Sequence, residues 1–218
     1  MAYGLLTPCD VQVLERMLRA ATELTPGDAP IRFCEIGVRD GATARGVQAY
    51  LAQLGRGIDY VGLDSGRDMD VELPFEGAQV CAGDSAETYL QMATRTFDCL
   101  IIDGCHCANH VMLDFLNFAP RVREGGFIFC HDLAPRAQGK CDYQGHGPKA
   151  QADFGTASRA ALDRLGLLDV SAAGYVDPAG TGWRLLDTAP TRRTDYRRLW
   201  AGWIPDWDWG GAAVFQRV

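Results

Sequence analysis

The sequence predicts an α/β protein built on an open, mostly parallel β-sheet. Short apolar runs alternate with helical patterns through residues 31–130, which is typical of parallel strands joined by helices. The run at 97–103 is almost continuously apolar, as expected of a strand covered on both faces. Beyond residue 132, three strand candidates follow without long helices between them. This change of pattern predicts an antiparallel edge at the C-terminal side of the sheet.

The individual elements follow from apolar periodicity and from the residues that end each run. A first helix is expected at 10–24, with Asp10 as its N-cap and Pro26 and Gly27 ending it. Further helices are expected at 43–54, 85–92, 109–122 and 149–165, and strands at 31–38, 58–64, 79–81, 97–103, 127–130, 170–176, 183–186 and 212–218. A polar loop is expected at 133–148.

Composition and charge limit the classes of partner. The chain has 218 residues, of which 47% are hydrophobic, so it is expected to fold as one domain with a sizeable core. Its net charge of −7 argues against nucleic acid or an anionic membrane as partner. No apolar run approaches the roughly 18 residues of a membrane-spanning helix, and the first residues lack an export signal. We therefore expect a cytoplasmic protein with a small-molecule substrate.

The eight cysteines are expected to be free thiols. Cys34, Cys81, Cys99 and Cys130 each lie inside a predicted strand, where buried thiols behave as small apolar side chains. No C-x-x-C motif occurs, so a thioredoxin-type redox pair is not expected.

Acidic residues follow the predicted parallel strands at the point where each strand ends. These positions are Glu35, Asp64, Asp84, Asp103 and the pair His131-Asp132. In open α/β sheets, ligands bind outside the carboxyl ends of the strands. The sequence therefore predicts one shared ligand site at this edge.

The first strand end limits the ligand chemistry. Glu35, Gly37 and Gly41 form E-x-G-x-x-x-G rather than the dinucleotide pattern G-x-G-x-x-G, because Arg39 occupies the middle glycine position. Acids around a site favour a cationic or hydroxyl-rich ligand, and Asp64 is placed to accept hydrogen bonds from both hydroxyls of a ribose. A ligand with a ribose, an adenine and a positively charged end fits these features.

Four segments together resemble the class I S-adenosylmethionine-dependent methyltransferases. They are CEIGVRDGATARG, YVGLDS, AGDSAETYL and FDCLIIDGCHCANHVMLDFLNFAPRVREGGFIFCHD, and the resemblance covers about residues 30–135. It is strongest to the small-molecule and sugar O-methyltransferases of natural-product pathways. The resemblance implies a Rossmann-like, doubly wound, seven-stranded sheet. One domain, 1–218, is then expected, with a helical extension at 1–29, a cofactor-binding core at 30–135 and a substrate side at 136–218.

The resemblance also implies a cofactor-binding set for S-adenosylmethionine. Its members are Glu35, Gly37, Gly41, Asp64, Ser65, Asp84, Ser85 and Asp103. Glu35 and the glycines are expected to face the methionine end, Asp64 to hold the ribose, and Asp84 with Ser85 to border the adenine. Asp103 is expected beneath the reacting methyl group.

Methyl transfer to a hydroxyl needs a base within hydrogen-bond reach of the leaving proton. His106 lies three residues beyond Asp103, over the expected cofactor, and is our candidate base. The alternative is a histidine that only caps or packs against the helix that follows. The candidate catalytic set is His106, Asp103 and His131.

A divalent metal is also implied by the resemblance. The fourth and fifth strands are expected to be neighbours, roughly 4.8 Å apart, so Asp103, His131 and Asp132 can converge on one ion. Relatives have an acid where this chain has His131, so the set favours Mn, Fe or Zn over Mg. The alternative is that His131 bonds to the backbone and no metal binds.

Other interpretations remain open from sequence. One is a nucleotide or nucleotide-sugar binding module without methyl transfer. Another is a zinc-dependent interaction domain using Cys105, His106, Cys107 and His110, although no second ligand pair is visible. Four tryptophans near the C-terminus, Trp200, Trp203, Trp207 and Trp209, indicate a core plug, a homodimer contact or a stacking surface for the substrate.

Overall fold

The computed structural model has the predicted open α/β architecture. It describes residues 3, 6–66, 74–105, 108–131, 139–140, 151–152, 175–176, 181–189 and 212–218. Within these ranges, no helix has the length and hydropathy that crossing a bilayer requires.

Strands and helices alternate through the first 131 residues. The α-helices are α1 (Pro8–Leu24), α2 (Ala42–Gln53), α3 (Ser85–Thr88) and α4 (Ala108–Phe118), with short 3₁₀ turns at Tyr89–Met92 and Ala119–Arg121. The strands are β1 (Ile31–Ile36), β2 (Ile58–Asp64), β3 (Gln79–Ala82), β4 (Phe97–Ile102), β5 (Val122–His131), β6 (Gly139–Lys140), β7 (Gln151–Ala152), β8 (Tyr175–Val176), β9 (Gly182–Ala189) and β10 (Ala212–Arg217).

The main sheet has the strand order β3-β2-β1-β4-β5-β10-β9-β8. The five strands β3, β2, β1, β4 and β5 are parallel, whereas β10 runs antiparallel to both β5 and β9. These seven strands form the predicted sheet with its antiparallel C-terminal edge. The two-residue strand β8 extends that edge by one further antiparallel pair.

Some predicted boundaries differ from the observed ones. The helix expected at 85–92 is one α-helical turn followed by a 3₁₀ turn, and the strand expected at 127–130 runs from Val122 to His131. Gln151–Ala152 pairs with Gly139–Lys140 as two short strands, so the expected helix at 149–165 is wrong for those two residues. Pairing with a partner strand overrides local propensity there.

Apolar side chains cover both faces of the sheet. On one face, α1 and α2 pack against residues such as Ile31, Phe33 and Phe129. On the other face, α4 packs against residues such as Cys34 and Ile128. Successive residues of a strand point to opposite faces, so β1 contributes to both layers, and the sheet is doubly wound.

The N-terminal helix α1 begins differently from the sequence prediction. Thr7, not Asp10, is the N-cap: its side chain accepts from the Asp10 amide, and the Asp10 side chain accepts from the Thr7 amide. This reciprocal pair is a capping box. Asp10 is therefore inside the helix, on the same face as the buried Val13, Leu14 and Met17. This placement brings a carboxyl group into the core.

An ionic network links three strands at the amino end of the sheet. Asp98 on β4 is 1% exposed and accepts from Arg32 on β1, with Nη2 to Oδ1 at 3.0 Å, and from Arg123 on β5. Burial alone raises the pKa of Asp98, but hydrogen bonds from the two guanidinium groups outweigh it and hold the pKa below its usual value. The network joins three neighbouring strands.

Asp98→Asn is expected to lower the free energy of unfolding by roughly 3 kcal/mol at pH 7, since it leaves two arginines facing a neutral amide. Because the folded-state pKa is lowered, the stabilisation is complete above the unfolded-state value of about 3.9 and is lost as pH falls through the folded-state value. The difference between wild type and variant should therefore shrink below about pH 4. Urea denaturation across pH measures it.

Asp59→Asn is the matched control. Asp59 is 52% exposed and its Oδ1 lies 3.9 Å from Nη1 of Arg95, so its loss should cost less than about 0.5 kcal/mol. Equal stability losses in the two variants would contradict the assigned role of Asp98.

Candidate active site

The carboxyl ends of the parallel strands bring the predicted residues into one row. Ile36 on β1 pairs with Leu63 on β2 and with Ile102 on β4, and Ile102 pairs with Cys130 on β5. The next residue of each strand therefore lies at the same level. We call this row, Asp64, Gly37, Asp103 and His131, the rim.

Gly37 fits the rim because it has no side chain. Its φ is +93°, a conformation that other residues rarely adopt. A Cβ at this position would overlap the backbone carbonyl of Asp103. The Gly37 amide donates to the Leu63 carbonyl over 2.8 Å. Close contact between the ends of β1 and β4 thus requires glycine here.

Arg39 occupies a left-handed position in the loop that follows. Its φ is +53°, so this arginine holds a backbone conformation that favours glycine. Its amide donates to Asp64 Oδ2 over 2.7 Å, and the Gly66 amide donates to Asp64 Oδ1 over 2.9 Å. Asp64 is fixed by one amide from each of two loops.

Glu35 lies beneath the loop rather than on its surface. It is 1% exposed, and the Tyr60 hydroxyl donates to its Oε2 over 2.6 Å. Burial raises the pKa of Glu35 to about 8, although the Tyr60 hydrogen bond opposes the rise. The contact expected between Glu35 and the cofactor remains a prediction. In the structure, Glu35 joins β1 to β2 through its buried hydrogen bond with Tyr60.

Asp84 and Ser85 follow β3 at the start of α3. The Asp84 side chain caps the helix by accepting from the Ala86 amide over 2.8 Å, and the Ser85 hydroxyl donates to Asp114 on α4. Asp114 is 2% exposed, and burial raises its pKa to about 7. Sequence analysis missed Asp114. Its helical phase with the buried Val111 and Phe118 was the available signal.

Asp103 and His131 meet across the β4–β5 pair, as predicted. His131 Nδ1 lies 2.9 Å from Asp103 Oδ1, and His131 Nε2 lies 3.1 Å from Asp10 Oδ2. Exposure falls from Asp103 (19%) to His131 (4%) to Asp10 (0%). From the sequence, Asp10 was interpreted only as a helix cap, and its contact with His131 was not expected. Its helical phase with Val13 and Met17 nevertheless placed it on the apolar face.

The contacts of His131 bear on its predicted roles. Both ring nitrogens face carboxyl oxygens, so in this arrangement neither offers a lone pair to a metal ion or to a substrate proton. Among the described residues, no group of three or more His, Cys, Asp or Glu side chains is arranged to hold a metal. The described part of the proposed metal set therefore does not fit a metal ligated by His131.

Several predicted residues lie outside the described ranges. They are His106, Cys107, Asp132 and the tryptophans at 200, 203, 207 and 209. The base role of His106, the contribution of Asp132 to a metal site and the zinc alternative therefore stay predictions. Ser65 is described and exposed, next to Asp64.

Comparison with known proteins finds a matching family. A family described as a methyltransferase domain matches residues 34–133, the segment that carries every rim residue. This segment is therefore similar to methyltransferase domains, in agreement with the resemblance in the sequence. Comparison of the chain with curated proteins gives no match.

Solved structures share the fold of this chain. An O-methyltransferase from Bacillus cereus in complex with SAH has 14% identity and a TM-score of 0.58, covering 99% of this chain and 84% of that chain. The O-methyltransferase NovP has 14% identity and a TM-score of 0.58, covering 100% and 83%. MycE, in complex with Mg, SAH and mycinamycin VI, has 22% identity and a TM-score of 0.53, covering 93% of this chain and 47% of that chain.

Glu35→Gln is expected to flatten the pH dependence of stability. The folded protein holds the Glu35 proton up to about pH 8, whereas the unfolded chain releases it near pH 4.5. The free energy of unfolding should therefore fall as pH rises between these values, by at most about 1.4 kcal/mol per pH unit for one proton. Denaturation at pH 5 and pH 8 measures this slope.

The slope should decrease in Glu35→Gln without vanishing, because Asp114 also has a raised pKa. Glu124→Gln is the control, since Glu124 is exposed and should leave the slope unchanged. An unaltered slope in Glu35→Gln would show that Glu35 does not hold a proton in the folded protein.

Proposed function

We propose that the protein transfers the methyl group of S-adenosylmethionine to a hydroxyl of a small polar molecule or sugar. The rim is the observation that carries this proposal, because it gathers Asp64, Gly37 and Asp103 at one edge of the sheet. The fold shared with two solved O-methyltransferases supports oxygen as the acceptor atom. The buried, unpaired thiols of Cys34, Cys99 and Cys130 accord with the proposed cytoplasmic location.

The hydrogen-bonding capacity and the charge of the described residues support binding of the cofactor. Asp64 already accepts one amide on each oxygen, and each carboxylate oxygen has a second acceptor site for a ribose hydroxyl. Asp84 and Ser85 are proposed to border the adenine. The rim carries carboxyl groups, which complement the positive sulfonium. When bound, the cofactor supplies an electrophilic methyl group.

His106 is proposed to take the proton from the acceptor hydroxyl. It follows Asp103 by three residues in the sequence, and Asp103 is partly exposed at the rim. A base held in this region would face the expected position of the methyl group. His131 is not proposed for this step, because carboxyl groups engage both of its nitrogens.

Any metal in this proposal would be held by Asp103 and Asp132, without His131. The transfer assay should be run with and without EDTA. Loss of turnover that Mn²⁺ or Mg²⁺ restores would support a metal, and turnover indifferent to EDTA would remove it from the proposal.

A direct test starts with binding and then examines transfer. Calorimetry with S-adenosylmethionine and S-adenosylhomocysteine tests the cofactor, and isotope-labelled methyl transfer to panels of sugars and phenols tests the acceptor class. The second candidate, a nucleotide or nucleotide-sugar binding module, is supported by the acids at the strand ends. It predicts thermal stabilisation by NAD or a UDP-sugar and none by S-adenosylhomocysteine.

Asp64→Asn is expected to weaken S-adenosylhomocysteine binding by at least about tenfold, since a charged acceptor for two ribose hydroxyls is lost. Isothermal calorimetry measures the dissociation constant. Asp59→Asn is the control on the same strand, because Asp59 lies at the opposite end of β2 and should leave affinity unchanged. Equal affinity in wild type and Asp64→Asn would contradict the ribose assignment.

His106→Ala is expected to lower turnover by about 100-fold while S-adenosylmethionine affinity stays within about threefold. Turnover is measured on the best acceptor from the transfer panel. His110→Ala, in the following helix, is the control and should keep turnover. Full activity in His106→Ala would remove the base role. Metal loss in both variants would favour the zinc alternative instead.

A further inference from the structure

The N-terminal helix reaches the rim through one side chain. Asp10 lies in the first turn of α1 and is fully buried, yet its Oδ2 contacts His131, which is 121 residues away in sequence. α1 also packs against β5, β9 and β10. The contact therefore joins an element outside the matched methyltransferase domain to the edge where the cofactor is expected.

The hydrogen bonds of Asp10 define how the imidazole is held. Asp10 Oδ2 accepts the Thr7 amide over 2.9 Å and also faces His131 Nε2. An oxygen that accepts from an amide can accept a second N–H, so His131 is oriented with an Nε2 proton toward Asp10. The ring also stacks on Phe129, with centroids 6.2 Å apart and planes 10° from parallel. The imidazole is thus fixed on two sides.

The other ring nitrogen, Nδ1, contacts the rim residue Asp103. With Nε2 donating to Asp10, Nδ1 lies 2.9 Å from Asp103 Oδ1, and it holds Asp103 as a carboxylate by donating a second N–H. His131 is 4% exposed and Asp103 is 19% exposed, so Asp103 is the only one of the three groups with substantial access to a ligand. The chain of contacts runs from a buried helix turn to an accessible carboxyl group.

We infer that Asp10 is a positioning residue of the methyltransferase site, acting through His131 to fix the Asp103 carboxylate at the rim. This inference rests on the proposed function for the placement of Asp103 beneath the methyl-bearing sulfur. S-adenosylmethionine carries a positive sulfonium there, whereas S-adenosylhomocysteine is neutral. A fixed carboxylate therefore favours the first ligand relative to the second. Losing Asp10 should reduce this discrimination while leaving the shared adenosine contacts intact.

The test compares three variants by calorimetry. In Asp10→Ala, the ratio of the S-adenosylhomocysteine to the S-adenosylmethionine dissociation constant should fall at least fivefold, with S-adenosylhomocysteine affinity within about twofold of wild type. Asp10→Asn keeps an oxygen acceptor and should restore most of the ratio. Thr7→Ala removes the cap acceptor for the Asp10 amide but keeps the Asp10 carboxylate, so it should leave the ratio unchanged.

A helix-capping role alone predicts a different result. Asp10→Ala and Thr7→Ala would then lose thermal stability and binding in parallel, with no selective change in the ratio, and that outcome would overturn the inference. An unchanged ratio in a folded Asp10→Ala would also overturn it.

A measurement on the wild-type protein covers the case in which Asp10→Ala fails to fold. Nitrogen-detected NMR of the histidine rings should show His131 protonated at Nε2, and an unprotonated Nε2 would overturn the inference. If wild type binds neither nucleoside at millimolar concentration, the proposed function fails. The NMR result still decides whether Asp10 orients His131.

Discussion

Backbone hydrogen bonds at the carboxyl end of β1 hold the candidate site together. The Gly37 amide donates to the Leu63 carbonyl on one side, and the Asp103 amide donates to the Ile36 carbonyl on the other. These bonds continue the parallel ladders past the last strand residues, so the side chains that follow β2 and β4 lie at one level. Glycine at position 37 permits this approach, because any Cβ would overlap the Asp103 backbone. The relative positions of Asp64, Gly37 and Asp103 depend on these contacts.

Carboxyl groups at the two ends of the sheet have different kinds of partner. At the amino end, Asp98 is neutralised by two arginines, which is a structural solution that ties β1, β4 and β5 together. At the carboxyl end, the described carboxyl groups are held by backbone amides, hydroxyls and one imidazole instead. Asp64 accepts from amides, Glu35 from Tyr60, and Asp114 from Ser85. The two amides fix Asp64 without cancelling its charge, which suits the cationic cofactor proposed to bind at this edge.

Buried carboxyl groups lie directly below this edge. Burial raises the pKa of Glu35 to about 8 and that of Asp114 to about 7. A proton held on Glu35 near neutral pH reduces repulsion between it and the rim carboxylates above. Glu35 therefore serves as a hydrogen-bonding partner of Tyr60 rather than as a fixed charge. Because these pKa values are raised, the free energy of unfolding falls as pH rises toward 8.

Apolar periodicity in the sequence determined most of the sheet, and the strand ends located Asp64 and Asp103. Periodicity is a local property, and parallel strands bring their carboxyl ends to one edge whatever the details of packing. The tertiary structure alone decided the partners: Asp10 with His131, Tyr60 with Glu35, and Ser85 with Asp114. Each pair joins residues 25 to 121 positions apart. The helical phase of a carboxyl group shows that it is buried. Its hydrogen-bonding partner depends on how α1 and α4 pack on the sheet, and contacts across the whole core set that packing.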